Sequence, residues 1–480
     1  MTGEAHVPTS LSAHALERLP AAVGQPRPRS GVAPGIVHIG PGAFHRAHQA
    51  GYTERALSDD GDDRWSIFAI SPRSTGIAER LEAQDGYYSV TEMDGHRART
   101  GVVGAISVTA AERARPGSIA SAIAARTTRI VTLTVTEHGY ADQDMLGRLT
   151  DGLLSRLDAH AEPLTMLACD NLRNADRVLP TALHSFARGL EPGRARALIS
   201  YLAESVTFPA SVVDRITPAT TQADLAMVSA RLGLEDLAAV VTEPYRQWVL
   251  TDEFPAGRPR WETAGVQFTA DVEPAEQQKL RLLNGTHSAL AYLGSLCDHP
   301  TIAAATADVR LDEFVRAMAE TEVIPALNVK YGKEIGGTDY LESVLTRFAN
   351  PALRHTVEQI SRDGSRKIPI RLFDTIGECL ALGVEPIRAI TVVAAWLTFA
   401  ATATSDSGTP LTVTDPLADV LADNRERVAS ERVLDMLATQ RTHRELVHDR
   451  RFLLPLRAQL RTIERRGVTA ALDDLRADLA

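Results

Sequence analysis

The chain has 480 residues, more than one hydrophobic core usually serves, so two domains are expected. Hydrophobic residues make up 44% and charged residues 23%, a composition typical of soluble globular proteins. The formal net charge of -10 at pH 7 argues against a nucleic-acid partner, which requires clustered Lys and Arg, and favours a small-molecule ligand.

The N-terminal residues 1–30 contain prolines and arginines but no continuous apolar stretch before a cleavage site. We therefore expect a mobile tail and no signal peptide. The cysteines Cys169, Cys297 and Cys379 are far apart in sequence, which predicts buried thiols in a reducing cytoplasm. The longest apolar run, 389–401, is shorter than the ~20 residues a bilayer crossing needs and predicts a buried helix. We therefore expect a cytoplasmic protein that has no membrane partner.

The first predicted strand covers residues 36–39 and is followed by a glycine turn and a helical pattern. In such a unit Gly40 permits the turn, and Gly42 lets backbone N–H groups approach a pyrophosphate at the helix N-terminus. An ordinary strand-to-helix turn is the alternative. His45 and Arg46 either line the cofactor or pack beneath it. The predicted dinucleotide contacts are Gly40, Gly42, Ala43, Phe44, His45 and Arg46.

Further strand-like runs, several of them separated by helical patterns, follow at residues 66–70, 87–92, 129–136, 164–168 and 238–241. This alternation favours a parallel α/β sheet. After the second strand, proteins that prefer NAD usually carry an acidic residue, but this chain has Arg73 there. Arg73 is suited to a 2′-phosphate, or it is simply solvated, so the choice between NAD and NADP stays open.

Polar residues follow two of the predicted strands. Glu137 comes after the run 129–136, and Asp170 and Asn171 come after the run 164–168. Ligands of α/β proteins bind at the carboxyl ends of parallel strands. Glu137 is therefore a candidate cofactor contact, and Asn171 a candidate donor to a substrate oxygen. A helix N-cap by Asp170 or Asn171 is the alternative.

An acid and a base also lie side by side in the apolar stretch 208–218. Asp214 and Arg215 form either an internal salt bridge or part of a turn, or Asp214 accepts hydrogen bonds from substrate hydroxyls. From about residue 274 onward long amphipathic helical patterns dominate. We expect a Rossmann-type domain over 31–274 and a helical substrate domain over 275–480.

The strongest candidate for chemistry is a polar face on the first helix of the second half. Lys279, Asn284 and His287 stand at offsets 0, 5 and 8 in an apolar helical pattern. At ~100° per residue they project within a ~140° sector. Glu276 lies about one turn before Lys279. Such a set of groups is costly to bury unless it performs chemistry, so this face is the predicted active site.

Together these motifs resemble the long-chain mannitol dehydrogenase family of polyol and sugar-acid oxidoreductases. The match rests on residues 40–48, 169–171, 213–216 and 279–287, which occur in this order over most of the chain. The resemblance implies an α/β Rossmann-type N-terminal domain with a mostly α-helical C-terminal domain. It also implies metal-free hydride transfer between a secondary alcohol and NAD or NADP, with NAD favoured.

The resemblance also implies roles for individual residues. A lysine in water has a pKa of ~10.4 and is a poor base, whereas burial beside a cationic nicotinamide lowers the pKa of such an amine. Two amide donors stabilise a developing alkoxide by about 3 kcal/mol each. The implied roles are Lys279 as general base, Asn171 and Asn284 as holders of the reacting oxygen, His287 and Asp214 as substrate-hydroxyl contacts, Glu276 as a proton relay and Glu137 as a second relay.

Residues 347–355 and 363–369 look most like the members that act on sugar acids, the fructuronate reductase and mannonate oxidoreductase branch. A substrate carboxylate favours cations that donate in pairs. The available cations are Arg354, Lys367, Arg366 and Arg371, of which the first two are the predicted contacts; a basic solvated face is the alternative. The favoured activity interconverts a keto-sugar acid and its aldonate, and a mannitol 2-dehydrogenase or arabinitol dehydrogenase is the runner-up.

Two other classes of function stay open at this point. One is a nucleotide-binding module without catalysis, which the intact active-site face argues against. The other is a metal-assisted hydrolase, but the His45 and His48 pair has no third ligand marked by spacing, so no metal is expected. That hydrolase would use His45, His48, Asp214 and His287. A monomer or a small homo-oligomer is expected.

Overall fold

The computed structural model describes residues 9–332, 335–419 and 444–477, apart from the side chains of Asp60, Glu137, Arg444 and Val447. By its internal contacts the chain divides into two units, Met1–Val272 and Glu273–Ala480. The described strands all lie in the first unit. They are β1 (Ile36–Ile39), β2 (Ile67–Ser71), β3 (Tyr88–Asp94), β4 (Arg97–Val103), β5 (Ile106–Ala111), β6 (Ile130–Leu133), β7 (Leu164–Ala168), β8 (Val206–Thr207), β9 (Ser211–Asp214), β10 (Val240–Thr242), β11 (Gln247–Leu250) and β12 (Gln267–Phe268).

Six of these strands form one sheet in the order β5-β2-β1-β6-β7-β8. Every neighbouring pair in it is parallel, because a helical connection lies between most successive strands. The strand order reverses between β1 and β6, and α/β sheets bind ligands outside the carboxyl ends of the strands at such a point. The predicted Rossmann-type domain is confirmed.

Two of the predicted strands belong elsewhere. The runs 87–92 and 238–241 form β3 and β10, which pair with each other and with β4 in a separate three-stranded sheet. A second small sheet has the order β12-β11-β9. The run 129–136 is also shorter than expected: β6 ends at Leu133, and Thr136, with φ of +66°, begins a short helix.

Helices cover both faces of the parallel sheet with apolar side chains, among them Leu149 and Leu153 from one helix and Leu179 and Leu183 from the next. Their burial supplies most of the free energy that holds sheet and helices together. The helices of this unit are α1 (Ala43–Ala47), α2 (Gln49–Asp60), α3 (Gly76–Ala83), α4 (Ser118–Ala124), α5 (Thr136–Gly139), α6 (Gln143–Ala159), α7 (Ala175–Ala187), α8 (Pro192–Ser205) and α9 (Gln222–Leu232), with 3₁₀ turns at Ala13–Arg18, Asp63–Trp65 and Trp261–Ala264.

The N-terminal segment is not a detached tail over residues 9–30. Leu11, Ala15, Leu19 and Val23 are buried in a cluster with side chains of the β10-β3-β4 sheet. The N–H of Leu11 also donates to the main-chain O of Glu235 at 2.8 Å. The sequence shows only scattered apolar residues here, and it does not show that they meet in one cluster around the 3₁₀ turn Ala13–Arg18. Residues 1–8 lie outside the described part of the chain.

The second unit is built from helices in its described part, which confirms the predicted mostly helical C-terminal domain. The predicted helix at 389–401 is α19, and nearly all of its side chains are buried. Among the described residues, no helix has both the length and the apolar composition that crossing a bilayer requires. The α-helices are α10 (Glu273–Gln278), α11 (Gly285–Leu296), α12 (Ile302–Ala307), α13 (Val309–Met318), α14 (Ile324–Tyr331), α15 (Gly337–Phe348), α16 (Val357–Ser361), α17 (Gly364–Ile368), α18 (Asp374–Ala381), α19 (Ile387–Thr402) and the helix Arg450–Ala477, with 3₁₀ turns at Pro351–Leu353 and Arg444–His448.

Three π-helical segments interrupt these helices, at Lys279–Asn284, Ala319–Val323 and Pro369–Phe373. The first joins α10 to α11 without a break, so residues 273–296 form one continuous helix. This corrects the α-helical geometry expected around Lys279. In a π-helix the N–H of residue i+5 donates to the C=O of residue i, so residues five apart lie about one turn apart.

Candidate active site

The turn after β1 has the conformation that the glycine pattern predicts. Gly40 has φ of +97°, and a Cβ there would lie 2.2 Å from the main-chain O of Thr134, so only glycine fits. Its N–H donates to Ile70 O at 3.0 Å. Gly42 is exposed and caps α1, and a Cβ at Gly42 would meet only Gly40 O at 3.9 Å. The helix N-terminus at Ala43 therefore has open space in front of it.

His45 and Arg46 pack beneath this turn. His45 is fully buried and stacks on His38, with ring centroids 3.2 Å apart. Arg46 is also buried, and its Nη1 donates to Pro41 O at 2.6 Å. Arg46 therefore contacts the backbone of the turn directly, whereas His45 packs on His38, whose Nε2 lies near Gly40 O. Ala43 and Phe44 are partly exposed.

His38 holds the turn from below. Its Nε2 lies 3.1 Å from Gly40 O, and its Nδ1 lies 2.7 Å from Thr132 Oγ1. Burial lowers the pKa of His38 to about 3, so the ring is neutral in the folded protein. His38 was not predicted as a functional residue, because a histidine within a short strand has no pattern that marks its role.

Arg73 follows β2 at the carboxyl edge of the parallel sheet. Its guanidinium is exposed, and Nη2 lies 3.2 Å from Asp142 Oδ2. An ion pair this exposed contributes little to stability, so Arg73 is able to exchange Asp142 for another anion.

Asp170 follows β7 and binds the neighbouring segment after β6. Its carboxylate accepts the N–H groups of Val135 at 3.1 Å and Thr136 at 2.9 Å, and the hydroxyl of Tyr140 at 2.5 Å. The predicted alternative of an N-cap by Asp170 or Asn171 is wrong, because the N-cap of α7 is Asn174. Asn171 is exposed at the end of this strand.

The other two predicted site residues of this unit are Asp214 and Glu137. Asp214 is 4% exposed and ends β9. The neighbouring Arg215 forms an ion pair with Glu92, from Nη2 to Oε1 at 2.7 Å, and its Nε donates to Glu243 O at 3.0 Å. Glu137 lies in α5, but its side chain is outside the described part of the structure.

In the second unit, the three residues of the predicted active-site face are largely buried. Lys279 is 9% exposed, Asn284 8% and His287 7%. Lys279 and Asn284 are the first and last residues of the π-helical segment. The N–H of Gly285, which follows Asn284, donates to the main-chain O of Leu280 five residues earlier. Lys279 and Asn284 are therefore about one turn apart. Glu276 is partly exposed on α10.

His287 lies among aromatic rings and cations. Its ring stacks on Phe348, with centroids 4.4 Å apart, and the ring of His355 is 5.7 Å away. The pKa of His287 lies well below its usual range. Burial is the main cause, followed by the Coulombic effects of His355, Arg371, Arg347 and Lys367. Among the described residues, Nε2 of His287 has no hydrogen-bond partner.

The four cations proposed for a substrate carboxylate divide into two kinds. Arg371 forms hydrogen bonds within the second unit: its Nη1 donates to Ser288 Oγ at 2.8 Å and to Asn284 O at 3.3 Å. Burial lowers the pKa of Arg371 to about 10. Arg354 and Arg366 are exposed, and Lys367 is partly exposed. Arg347, Phe348 and His355 were not predicted as site residues, because their contact with His287 is not encoded in local spacing.

The remaining predictions concern metals and thiols. Within residues 9–332, 335–419 and 444–477, no group of three His, Cys, Asp or Glu side chains is arranged to hold a metal ion. His48 Nε2 instead lies 2.8 Å from the main-chain O of Gln247. All three cysteines are free; Cys169 and Cys379 are buried, as predicted, whereas Cys297 is only partly buried.

Comparison with known proteins decides the family. The model of the mannitol dehydrogenase Rossmann domain matches residues 34–263, and that of the mannitol dehydrogenase C-terminal domain matches residues 271–464. The D-mannonate oxidoreductase of Escherichia coli is 34% identical over 435 residues, which are 84% of this chain and 87% of that protein. The chain belongs to the mannitol dehydrogenase family.

Other members show the same relationship. The mannitol 2-dehydrogenase of Pyrenophora tritici-repentis is 34% identical over 477 residues, covering 93% of this chain and 82% of that protein. Among solved structures, a ternary complex of Pseudomonas fluorescens mannitol 2-dehydrogenase with NAD and D-mannitol matches with a TM-score of 0.84 and 33% identity, covering 98% of this chain and 100% of that one. The predicted enzyme class, an NAD(P)-dependent secondary-alcohol dehydrogenase, is confirmed.

Proposed function

We propose that this enzyme interconverts a keto-sugar acid and its aldonate, as in fructuronate and mannonate, with Lys279 as the general base. In this proposal residues 31–274 bind the cofactor, and residues 275–480 supply the base and most of the substrate contacts. One observation carries the proposal: Lys279, Asn284 and His287 are buried on one continuous helix, and cations surround His287. That set serves proton transfer and binding of an anionic polyol.

The residues of the glycine turn fit a dinucleotide. Gly40 fixes the turn, and the open space in front of Gly42 and Ala43 admits a pyrophosphate to the N–H groups of α1. When bound, the cofactor supplies the nicotinamide that exchanges a hydride with the substrate carbon. His45 and Arg46 maintain the turn from beneath rather than reach the ligand.

In the oxidation direction, Lys279 Nζ removes the proton of the hydroxyl that becomes the carbonyl. Asn284 donates an N–H group to that oxygen as its negative charge develops, and His287 holds another hydroxyl. The roles proposed for Asn171, as a second donor to the oxygen, and for Asp214, as a hydroxyl contact, rest on the family resemblance of their motifs. Glu276, partly exposed on the turn before Lys279, then passes the proton from the lysine to water. Each step uses a group whose chemistry suits it, since amides donate and a neutral amine accepts.

A sugar acid is favoured over a neutral polyol because of the predicted carboxylate contacts Arg354 and Lys367, of which Lys367 contributes to the positive field at His287. Arg354 and Lys367 are accessible, and a guanidinium binds a carboxylate with two parallel hydrogen bonds. Oxidation of mannitol is the second candidate, because the solved structure with a TM-score of 0.84 holds D-mannitol. The two candidates differ in the carboxylate alone, so a comparison of mannonate with mannitol separates them.

We further propose that NAD is preferred over NADP. Arg73 would favour a 2′-phosphate, but the neighbouring Asp142 carboxylate offsets its charge, and a 2′-phosphate would have to displace it. Arg73→Ala is expected to lower kcat/KM with NADP about tenfold and to leave NAD within about twofold. Asp142→Asn, which releases Arg73, is the matched control and should improve the use of NADP. Equal losses with both cofactors in Arg73→Ala would contradict this assignment.

The test of the main proposal is a screen of mannonate, fructuronate, mannitol, fructose and arabinitol with both cofactors. Lys279→Met is then compared with Lys330→Met, a change of an exposed lysine in the same unit. We expect turnover to fall by about 10³-fold or more only in Lys279→Met. No hydride transfer with any of the five compounds, or full activity in Lys279→Met, would overturn the proposal.

A further inference from the structure

Arg281 is a buried cation in the middle of the π-helical segment Lys279–Asn284, two residues after Lys279 and three before Asn284. It is only 1% exposed. A guanidinium without acceptors is very costly in a protein interior, so its partners are an essential part of this region. Nε donates to Gln277 Oε1 at 3.0 Å, and Nη1 and Nη2 donate to the two carboxylate oxygens of Glu378.

Glu378 lies on α18, directly after the π-helical segment Pro369–Phe373. From that segment, Arg371 reaches Asn284 O at 3.3 Å and Ser288 Oγ at 2.8 Å. The chain between Pro369 and Ala381 thus holds the helix of Lys279 at two points. One is the centre of its π-helical segment, and the other is the end.

The π-helical geometry needs such support. The π-helix is rare, it occurs mostly as a single turn within an α-helix, and it is frequent at functional sites. Here it places Lys279 and Asn284 about one turn apart. An α-helix over the same residues would turn these two side chains toward different sides of the helix. An Arg–carboxylate pair with two parallel hydrogen bonds fixes orientation as well as distance.

We propose that the ion pair between Arg281 and Glu378 sets the π-helical register that positions Lys279 and Asn284 for the reaction. The inference rests on the proposed function of Lys279 as the base. Arg281 touches neither the substrate nor the reacting atoms in this scheme, so it is a positioning residue. A purely structural ion pair would affect stability and leave the chemistry of the folded enzyme unchanged.

Two conservative variants test this role in the full-length enzyme. Arg281→Lys keeps the charge but removes the planar guanidinium. Glu378→Gln keeps the shape of the side chain, and because that side chain is 31% exposed, the variant is expected to fold. Both should lower kcat about tenfold or more while KM changes less than about threefold. The pH at half-maximal kcat should also move, because the surroundings of Lys279 change. The double variant should be no worse than the poorer single one.

Arg156→Lys is the matched control. Arg156 is also 1% exposed, lies in the other unit, and donates to main-chain carbonyls including those of Ile123 and Pro163. This control should lose thermal stability without any change in kcat or in the pH profile. If Glu378→Gln or Arg281→Lys folds and keeps the wild-type kcat and pH profile, the positioning role is wrong, whatever the loss of stability.

The experiment also separates this inference from the function beneath it. Full activity in Lys279→Met would overturn the assigned base and the positioning role with it. Loss of activity in Lys279→Met, together with wild-type kinetics in Glu378→Gln, would overturn the positioning role alone. A variant that raises KM and spares kcat would contradict positioning of the base as well, because the interaction would then serve binding.

Discussion

His287 lies face to face with Phe348, with ring centroids 4.4 Å apart and ring planes inclined by 28°. This stacking keeps the imidazole out of water, and burial is the main cause of its depressed pKa, followed by the nearby cations. A neutral imidazole has one donor and one acceptor nitrogen, which suits it to a sugar hydroxyl.

His287→Asn is therefore expected to lower kcat/KM by about 10- to 100-fold without changing the shape of the pH profile. The reason is that His287 does not titrate near its usual value, so it adds no acidic limb. Phe348→Leu, which keeps an apolar contact, is the control for packing. An acidic limb near pH 6.5 that is present in the wild type and absent in His287→Asn would contradict this prediction.

The two glycines of the turn should respond differently to alanine. Gly40→Ala forces a side chain into positive φ and against Thr134 O, so we expect a loss of stability of about 1 to 3 kcal/mol. Gly42→Ala has space for the methyl group and should keep the thermal midpoint, but it should weaken NADH binding about tenfold by blocking the pyrophosphate. Thermal unfolding and fluorescence titration measure the two effects. Tight NADH binding by Gly42→Ala would argue against this turn as the phosphate site.

The substrate carboxylate can be tested through charge. Arg354→Gln and Lys367→Gln should each lower kcat/KM for mannonate about 100-fold and for mannitol less than about threefold, because only mannonate is anionic. Arg362→Gln removes an exposed arginine paired with Glu358 in the same region and should change neither value. Equal losses with both substrates would show that these cations do not read the carboxylate.

Glu322 should make stability depend on pH. It is 1% exposed and accepts the N–H groups of Arg388 and Ala389 at 2.8 Å each, and burial raises its pKa to about 7. The folded state thus holds the proton more tightly than the unfolded chain. The resulting stability is fully present below the unfolded pKa and is lost as pH rises through about 7.

Glu322→Gln cannot ionise, so its free energy of unfolding relative to the wild type should rise between pH 5 and pH 8, by up to about 3 kcal/mol. Thermal or denaturant unfolding at several pH values measures this difference. Glu385 is an exposed glutamate just before α19, the helix that contains Arg388 and Ala389. Glu385→Gln is the control, and its free energy of unfolding relative to the wild type should not change with pH. A difference that falls with rising pH would contradict the assigned direction.

The sequence revealed those features whose signal is local. The strands β1, β6 and β7 are buried on both faces, so each forms a mostly apolar run that stands out between polar turns. The polar set Lys279, Asn284 and His287 was visible because its members share one helix. The family resemblance followed from motifs of the same local kind.

Other features depend on partners that are distant along the chain. The sequence marks β3 as a strand, but periodicity reports burial and not which strand is the neighbour. Phe348 and His355 meet His287 across about 60 residues of sequence, so no spacing could indicate them. The π-helical segment was also invisible, because an apolar pattern at helical spacing does not distinguish it from an α-helix.

The π-helical segment makes the region around Lys279 sensitive to length as well as to the identity of its side chains. An α-helix turns by ~100° per residue, so deleting one residue between Lys279 and His287 would rotate everything beyond it to a different side. A substitution of the partly exposed Leu280, for example, keeps the residue count. Insertions and deletions, by contrast, should be excluded from Lys279–Asn284 in any functional variant of this enzyme.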